Sequence, residues 1–163
     1  METGQPMQAA APGQSGSVPL SEDALERGFG GDLHRLGRFV AILRQALPPE
    51  TVIGLRGSAV VGHAYESGSP FDAEGPGTSD LDIVVIGGAV EELWVPEARL
   101  AGGLNTLPLS DEAAWVAPHL DAARRRAQAI AGRPVSIQAM PAWFLDLRSL
   151  VQGQPYAILS DQA

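Results

Sequence analysis

The chain has 163 residues, with 45% hydrophobic and 18% charged side chains, which is enough for one globular domain with a substantial core. Its net charge is −8, and all 11 basic residues are arginine. That balance argues against a protein that grips a long DNA by its phosphates. The absence of cysteine excludes disulfides, thiolate zinc sites and a cysteine nucleophile. No apolar run has the ~18 residues needed to span a membrane, so no membrane partner is expected. No charged-then-apolar segment of signal-peptide type is present, and the expected location is the cytoplasm.

Residues 1–20 are rich in Gln, Pro, Gly, Ser and Ala and carry no periodic apolar face. They read as a disordered leader before a single domain over 21–163. Asp32 is a good N-cap, and Leu33, Leu36, Phe39, Val40, Leu43 and Leu47 then recur at helical spacing until Pro48 and Pro49. Thr51 to Arg56 is a short strand, broken at Gly57-Ser58, with a short helix expected over Ala59–Tyr65. Residues 66–79 are loop, dense in Gly and Pro and containing Asp72 and Glu74. Leu81 to Ile86 is a near-continuous apolar strand of the kind covered on both faces, closed by Gly87-Gly88.

A short helix around Glu91–Trp94 precedes an irregular stretch containing Pro96, Gly102, Gly103 and Pro108. Ser110 and Asp111 would cap a long helix to Ala131, with Trp115, Leu120, Ala123, Ala127 and Ile130 inward. Arg124, Arg125 and Arg126 near its end read as a solvated face favoured by the helix dipole. Pro134 to Met140 is a further strand, and Trp143 to Val151 a final helix stopped by Gly153. The expected fold is therefore α/β or α+β, with a small mixed sheet of three to four or more strands covered by helices.

The chemistry concentrates in two short runs, Arg56-Gly57-Ser58 and Ser79-Asp80-Leu81-Asp82-Ile83. Gly57 permits a tight turn and the close approach of a ligand. Ser58 opens a helix, whose N-terminus is suited to an anion such as phosphate. Asp80 and Asp82 are two apart at the start of a strand, so both carboxylates project to one face while Leu81 and Ile83 point to the core. Two adjacent carboxylates call for a cation, and a hard one shared with phosphates is Mg²⁺ or Mn²⁺. An unpaired carboxylate buried in an apolar strand is costly, so Asp82 must be exposed, paired or metal-bound.

Together these runs resemble the nucleotidyltransferase superfamily, which includes DNA polymerase beta, the antibiotic nucleotidyltransferases and the minimal nucleotidyltransferases of toxin–antitoxin pairs. The resemblance covers about residues 33–152. It implies a nucleoside triphosphate on Gly57, Ser58 and Arg56, metal on Asp80 and Asp82, and transfer of a nucleoside monophosphate to a hydroxyl on protein, RNA or a small molecule. Two metals would clamp the phosphates, an acceptor oxygen would attack the α-phosphorus in line, and pyrophosphate would leave. The spacer from Ser58 to Asp80 is longer than usual, and the whole run from Arg56 to Val84 resembles nucleotidyltransferase-like domains of bacterial polymorphic toxins. That implies a toxin-like effector, delivered to a target cell or held by an antitoxin or other protein partner.

The superfamily places a third carboxylate on the later strand, where this chain has Ser136 and Gln138. Asp72 or Glu74 would be the substitute ligand, or the site lacks one. Arg133 is a weaker phosphate candidate than Arg56, and His63 reads as a surface or packing residue. Two alternatives stay open. One is a catalytically inactive nucleotide-binding module acting through a partner; the other is an antibiotic nucleotidyltransferase, for whose usual second helical domain the length leaves little room.

Overall fold

Alternation along a strand sends successive side chains to opposite faces of a sheet, and this rule divides the molecule. The computed structural model describes residues 16–100 and 105–160. Its elements are β1 (Ser17–Val18), α1 (Glu22–Phe29), α2 (Leu33–Ala46), β2 (Val52–Arg56), α3 (Ser58–Val61), β3 (Leu81–Ile86), α4 (Pro118–Ala131), β4 (Val135–Ala139), α5 (Ala142–Gln152) and β5 (Tyr156–Ile158). The five strands form one mixed sheet in the order β1-β5-β2-β3-β4, and the fold is α+β. Antiparallel pairs join β2 to β3 and β2 to β5, while β3–β4 and β1–β5 are parallel.

One face of the sheet is dry. Ile53 and Leu55 of β2, Leu81, Ile83 and Val85 of β3, and Val135 and Ile137 of β4 join Leu36, Phe39, Val40 and Leu43 of α2 and Leu120 and Ala127 of α4 in a single buried cluster. Phe29 of α1 packs edge-on to Phe39 with ring centroids 5.1 Å apart. Fully burying each large side chain in this layer contributes about 1.5–3 kcal/mol. The opposite face carries only a small cluster, in which Leu145 and Phe144 of α5 pack on Val84, Ile86, Tyr156, Ile158 and Met140.

Helix ends follow local chemistry. Ser21 accepts from the Ala24 N–H at 3.0 Å to start α1, and left-handed Gly30 ends it. Asp32 accepts from the N–H groups of His34 and Arg35 at 2.9 and 3.1 Å to start α2. These backbone N–H groups, that of Arg35 foremost, hold the Asp32 carboxyl below its usual range.

Several expectations change. Of the leader expected over 1–20, residues 1–15 lie outside the described residues, whereas Ser17 and Val18 pair with Tyr156 and Ala157 as an edge strand. Gly102 and Gly103 lie outside them too. Helix α1 and strand β5 are elements that periodicity did not announce, because each is too short for its pattern to stand out. The long helix begins at Pro118, not Asp111, after a 3₁₀ turn over Ala114–Val116. Trp115 accordingly points outward, 55% exposed, instead of lining the core. Leu33 is also exposed, one turn ahead of the packed face of α2.

Arg124 is the largest correction. It is buried, not solvated, and donates to Asp121 at 2.8 Å, Gln128 at 3.0 Å, Asp111 at 2.9 Å and the Val135 carbonyl at 3.2 Å. The guanidinium thereby ties α4 to β4 and to the preceding loop. Arg125 and Arg126 are exposed as expected.

Candidate functional site

The second face of the sheet is where the polar residues gather. Arg56 is the cross-strand partner of Asp82, Asp82 of Ser136, and Arg56 again of Tyr156. One row of side chains thus runs Tyr156, Arg56, Asp82, Ser136 across four strands. The Ser136 hydroxyl donates to Asp82 Oδ1 at 2.9 Å. In the neighbouring row, Gln138 Oε1 accepts from Arg56 Nη2 at 3.4 Å, while its Nε2 donates to the Thr106 carbonyl at 2.9 Å.

Gly57 follows Arg56 with φ 79° and ψ −154°, a conformation that side chains rarely tolerate. A Cβ at this position would stand 2.5 Å from Asp82 Oδ2. The glycine therefore does two things: it turns the chain and leaves room for the carboxylate. The helix after it is one turn long, Ser58–Val61, and not the expected helix over 59–65. A single turn sums few peptide dipoles, so anion capacity here rests on the Ser58 hydroxyl and the arginines more than on a macrodipole. Arg27 of α1 fixes this turn by donating to the carbonyls of Ala59 and Val60 at 2.9 and 2.8 Å.

Burial pushes the Asp82 carboxyl up from its usual range, and the nearby charge of Asp80 pushes it further. The Ser136 hydroxyl and Arg56 act in the opposite direction without prevailing. Burial also lowers Arg56, with the positive charge of Arg148 as the next cause. An open cleft of about 430 Å³ joins Asp80, Asp82, Arg56, Gly57 and Ser58 to Tyr65, Arg148 and Gln154. All five expected site residues therefore line one cavity.

The alternative third ligands are not in it. Asp72 takes two bonds from Arg133, at 2.7 and 3.0 Å, and accepts from the backbone N–H groups of Ser79 and Gly77 at 3.0 and 3.3 Å. Arg133 holds its carboxyl down to about 2. Arg133 also donates to the Ser79 carbonyl at 2.9 Å and lies 4.6 Å from the Phe71 ring centroid. This pair clamps the 66–79 loop and fixes the residue just before Asp80. It is a structural device, and Arg133 is not a phosphate residue of the cleft. Glu74 is exposed and lines a neighbouring depression with Ala73 and Ser79, which shares Ser58 and Ala64 with the cleft. His63 is exposed, its ring 6.5 Å from that of Tyr65.

Among the described residues no group of three or more His, Cys, Asp or Glu side chains is gathered for a metal. The Asp80–Asp82 pair still fits one Mg²⁺. That ion is commonly held by one or two carboxylates, with phosphates and water completing its shell. A second tightly held metal finds no third carboxylate at Ser136. Residues that sequence reasoning missed are Arg148 and Gln154 on and after α5, Tyr65 in the loop, and Arg27. Their signal is positional: Tyr65, Arg148 and Gln154 come to the cleft from segments that carry no motif, and Arg27 acts behind it on the turn after Gly57.

Among the described residues no helix is long and apolar enough to cross a membrane. Comparison of the chain with protein-family models, with curated proteins and with solved structures finds no match in any of the three.

Proposed function

We propose that the cleft binds a nucleoside triphosphate with Mg²⁺ or Mn²⁺ and transfers its nucleoside monophosphate to a hydroxyl, as in the nucleotidyltransferases that the sequence resembles. The observation that carries this reading is the packing of Asp82 against the bare backbone of Gly57, with Asp80, Ser58 and Arg56 in the same cavity. In this reading Asp80 and Asp82 hold the metal, which when bound neutralises phosphate charge. Ser58 and Arg56 orient the phosphates by hydrogen bonds to their oxygens. Gly57 lets the nucleotide approach the chain, and the Asp72–Arg133 clamp keeps Asp80 in place. Positioning and fixed charge supply the rate in such a site.

A second reading has its own observation. Ser136 stands beside Asp82 where a third carboxylate would activate the acceptor, and it donates to Asp82 instead. This favours a module that binds the nucleotide without transferring it and acts through a protein partner.

The test is incubation with each α-phosphate-labelled triphosphate, Mg²⁺ or Mn²⁺, and lysate, with Asp80→Ala/Asp82→Ala as control. Label on protein, RNA or a small molecule that depends on both carboxylates supports transfer and names the acceptor class. Metal-dependent nucleotide binding without label supports the binding module. No nucleotide binding in any form overturns both.

A further inference from the structure

We infer that the wall of the cleft made by Arg56 and Arg148 is an oxyanion site for a phosphate-class group, and that it works without a metal. The inference rests on the proposed function for the phosphate role of Arg56, and adds Arg148 and independence from metal. Arg56 comes from the end of β2 and Arg148 from α5, and both line the cleft. Like charges are brought together here by two unrelated elements. Among the described residues neither arginine has a carboxylate within ion-pair distance.

Their hydrogen bonds are also incomplete. Arg56 Nε is buried and has no partner, and its Nη2 has only the long 3.4 Å contact to Gln138. Arg148 uses Nε to reach Gln154 Oε1 at 3.0 Å, and its guanidinium lies 5.7 Å from the Phe144 ring centroid. Among the described residues the Arg148 Nη groups have no acceptor. A guanidinium has five donors in a fixed fork, so the pair has more donors than the protein supplies acceptors. A half-buried cation pair with spare N–H groups is costly by itself and is relieved by a bound dianion. The acids lining the same cleft are Asp82, across from Arg56 in the sheet, Asp80 beside it and Glu66; Tyr65 lines it too. Tetrahedral phosphate oxygens match the fork of each arginine.

The two sources of such a group are the polyphosphate tail of a nucleotide and a terminal phosphate on an acceptor. The experiment is calorimetric titration of the full chain in EDTA with orthophosphate, pyrophosphate, a nucleoside triphosphate and a 5′-phosphorylated dinucleotide. The variants are Arg148→Gln and, separately, Asp80→Asn/Asp82→Asn. Thermal melts verify that each variant folds.

Saturable pyrophosphate binding in EDTA is expected, weakened about tenfold or more by Arg148→Gln. Binding should be retained or strengthened in Asp80→Asn/Asp82→Asn, because two opposing charges are removed. Competition between triphosphate and pyrophosphate identifies the nucleotide tail as the source. Dinucleotide binding lost with Arg148→Gln identifies an acceptor phosphate. Equal affinity in Arg148→Gln, or binding to no anion without metal, overturns the inference.

Discussion

The two faces of the sheet are built to opposite rules. On the face toward α2 and α4 the side chains of β2, β3 and β4 are apolar and buried, and the charged pair beside them, Arg124 and Asp121, is hydrogen-bonded together. On the face toward α5 the strands carry Arg56, Asp82, Ser136 and Gln138, and the arginine there has a buried, unpartnered Nε. The first face spends its interactions on holding the fold. The second keeps charge unsatisfied where a ligand can reach it, which is the usual trade between stability and function.

Substitutions break this comparison in a graded way. The largest effect is expected for Arg124→Ala on the dry face. It removes the donor of the Val135 carbonyl and leaves the buried Asp121 with only the exposed Arg125 as ion-pair partner, and a loss of about 3–5 kcal/mol in denaturant unfolding is expected. Next is Gly57→Ala, which must adopt a left-handed φ and place a Cβ against Asp82. A loss of about 1–3 kcal/mol is expected, together with loss of Mg²⁺-dependent nucleotide binding measured by calorimetry. A mere turn glycine would show the first effect and spare the second.

Asp72→Asn tests the clamp. Because the folded carboxyl sits at about 2 against 3.8 ordinarily, the unfolded chain binds the proton more readily. The stability that Asp72 contributes is therefore complete above about pH 5 and is lost as pH falls through its folded value. The variant should be less stable at pH 7 by about 1–2 kcal/mol and should lose part of the acid limb of its stability curve. Asp82→Asn should have the opposite sign. Its carboxyl is raised, so in the charged form it opposes folding above its folded pKa, and the variant should melt higher at neutral pH while losing its metal response. The smallest effect is expected for Leu150→Ser on the outer side of α5, where the side chain is 76% exposed; a change within about 0.5 kcal/mol is expected in a thermal melt.

The part of the site legible in the sequence is the part that lies in continuous motif. Asp80 and Asp82 are separated by one core residue, so alternation alone puts them on one face beside the Gly57 turn. Arg148 was illegible because it sits among Leu147, Ser149 and Leu150 in a helix with no motif, and only the packing of α5 on Val84 and Tyr156 brings it to the cleft. Arg124 was misread for a related reason. The run of three arginines looks solvated, and the partner that matters, Asp111, belongs to a loop whose return to α4 no local pattern encodes. Strand β5 was hidden by its brevity, and Tyr156 shows its purpose only through its Asp146 bond of 2.6 Å and its place beside Arg56. The five-stranded sheet confirms the expected fold class while adding β5 and the edge strand β1 to one side of it.

Those two strands carry a kinetic consequence. β1 is held by Gly16 N–H donating to Asp146 Oδ1 at 2.6 Å and by Ser149 donating to the Gly16 carbonyl at 2.6 Å, contacts that span 130 and 133 residues of chain. Closing so long a loop has a large entropy cost that a two-residue strand returns only after β2, β3 and β4 are assembled. The β1–β5 edge should accordingly form last and open first. Its amides should exchange with deuterium well before those of β3, exposing the edge of β5 as the first surface at which this sheet can add a foreign strand.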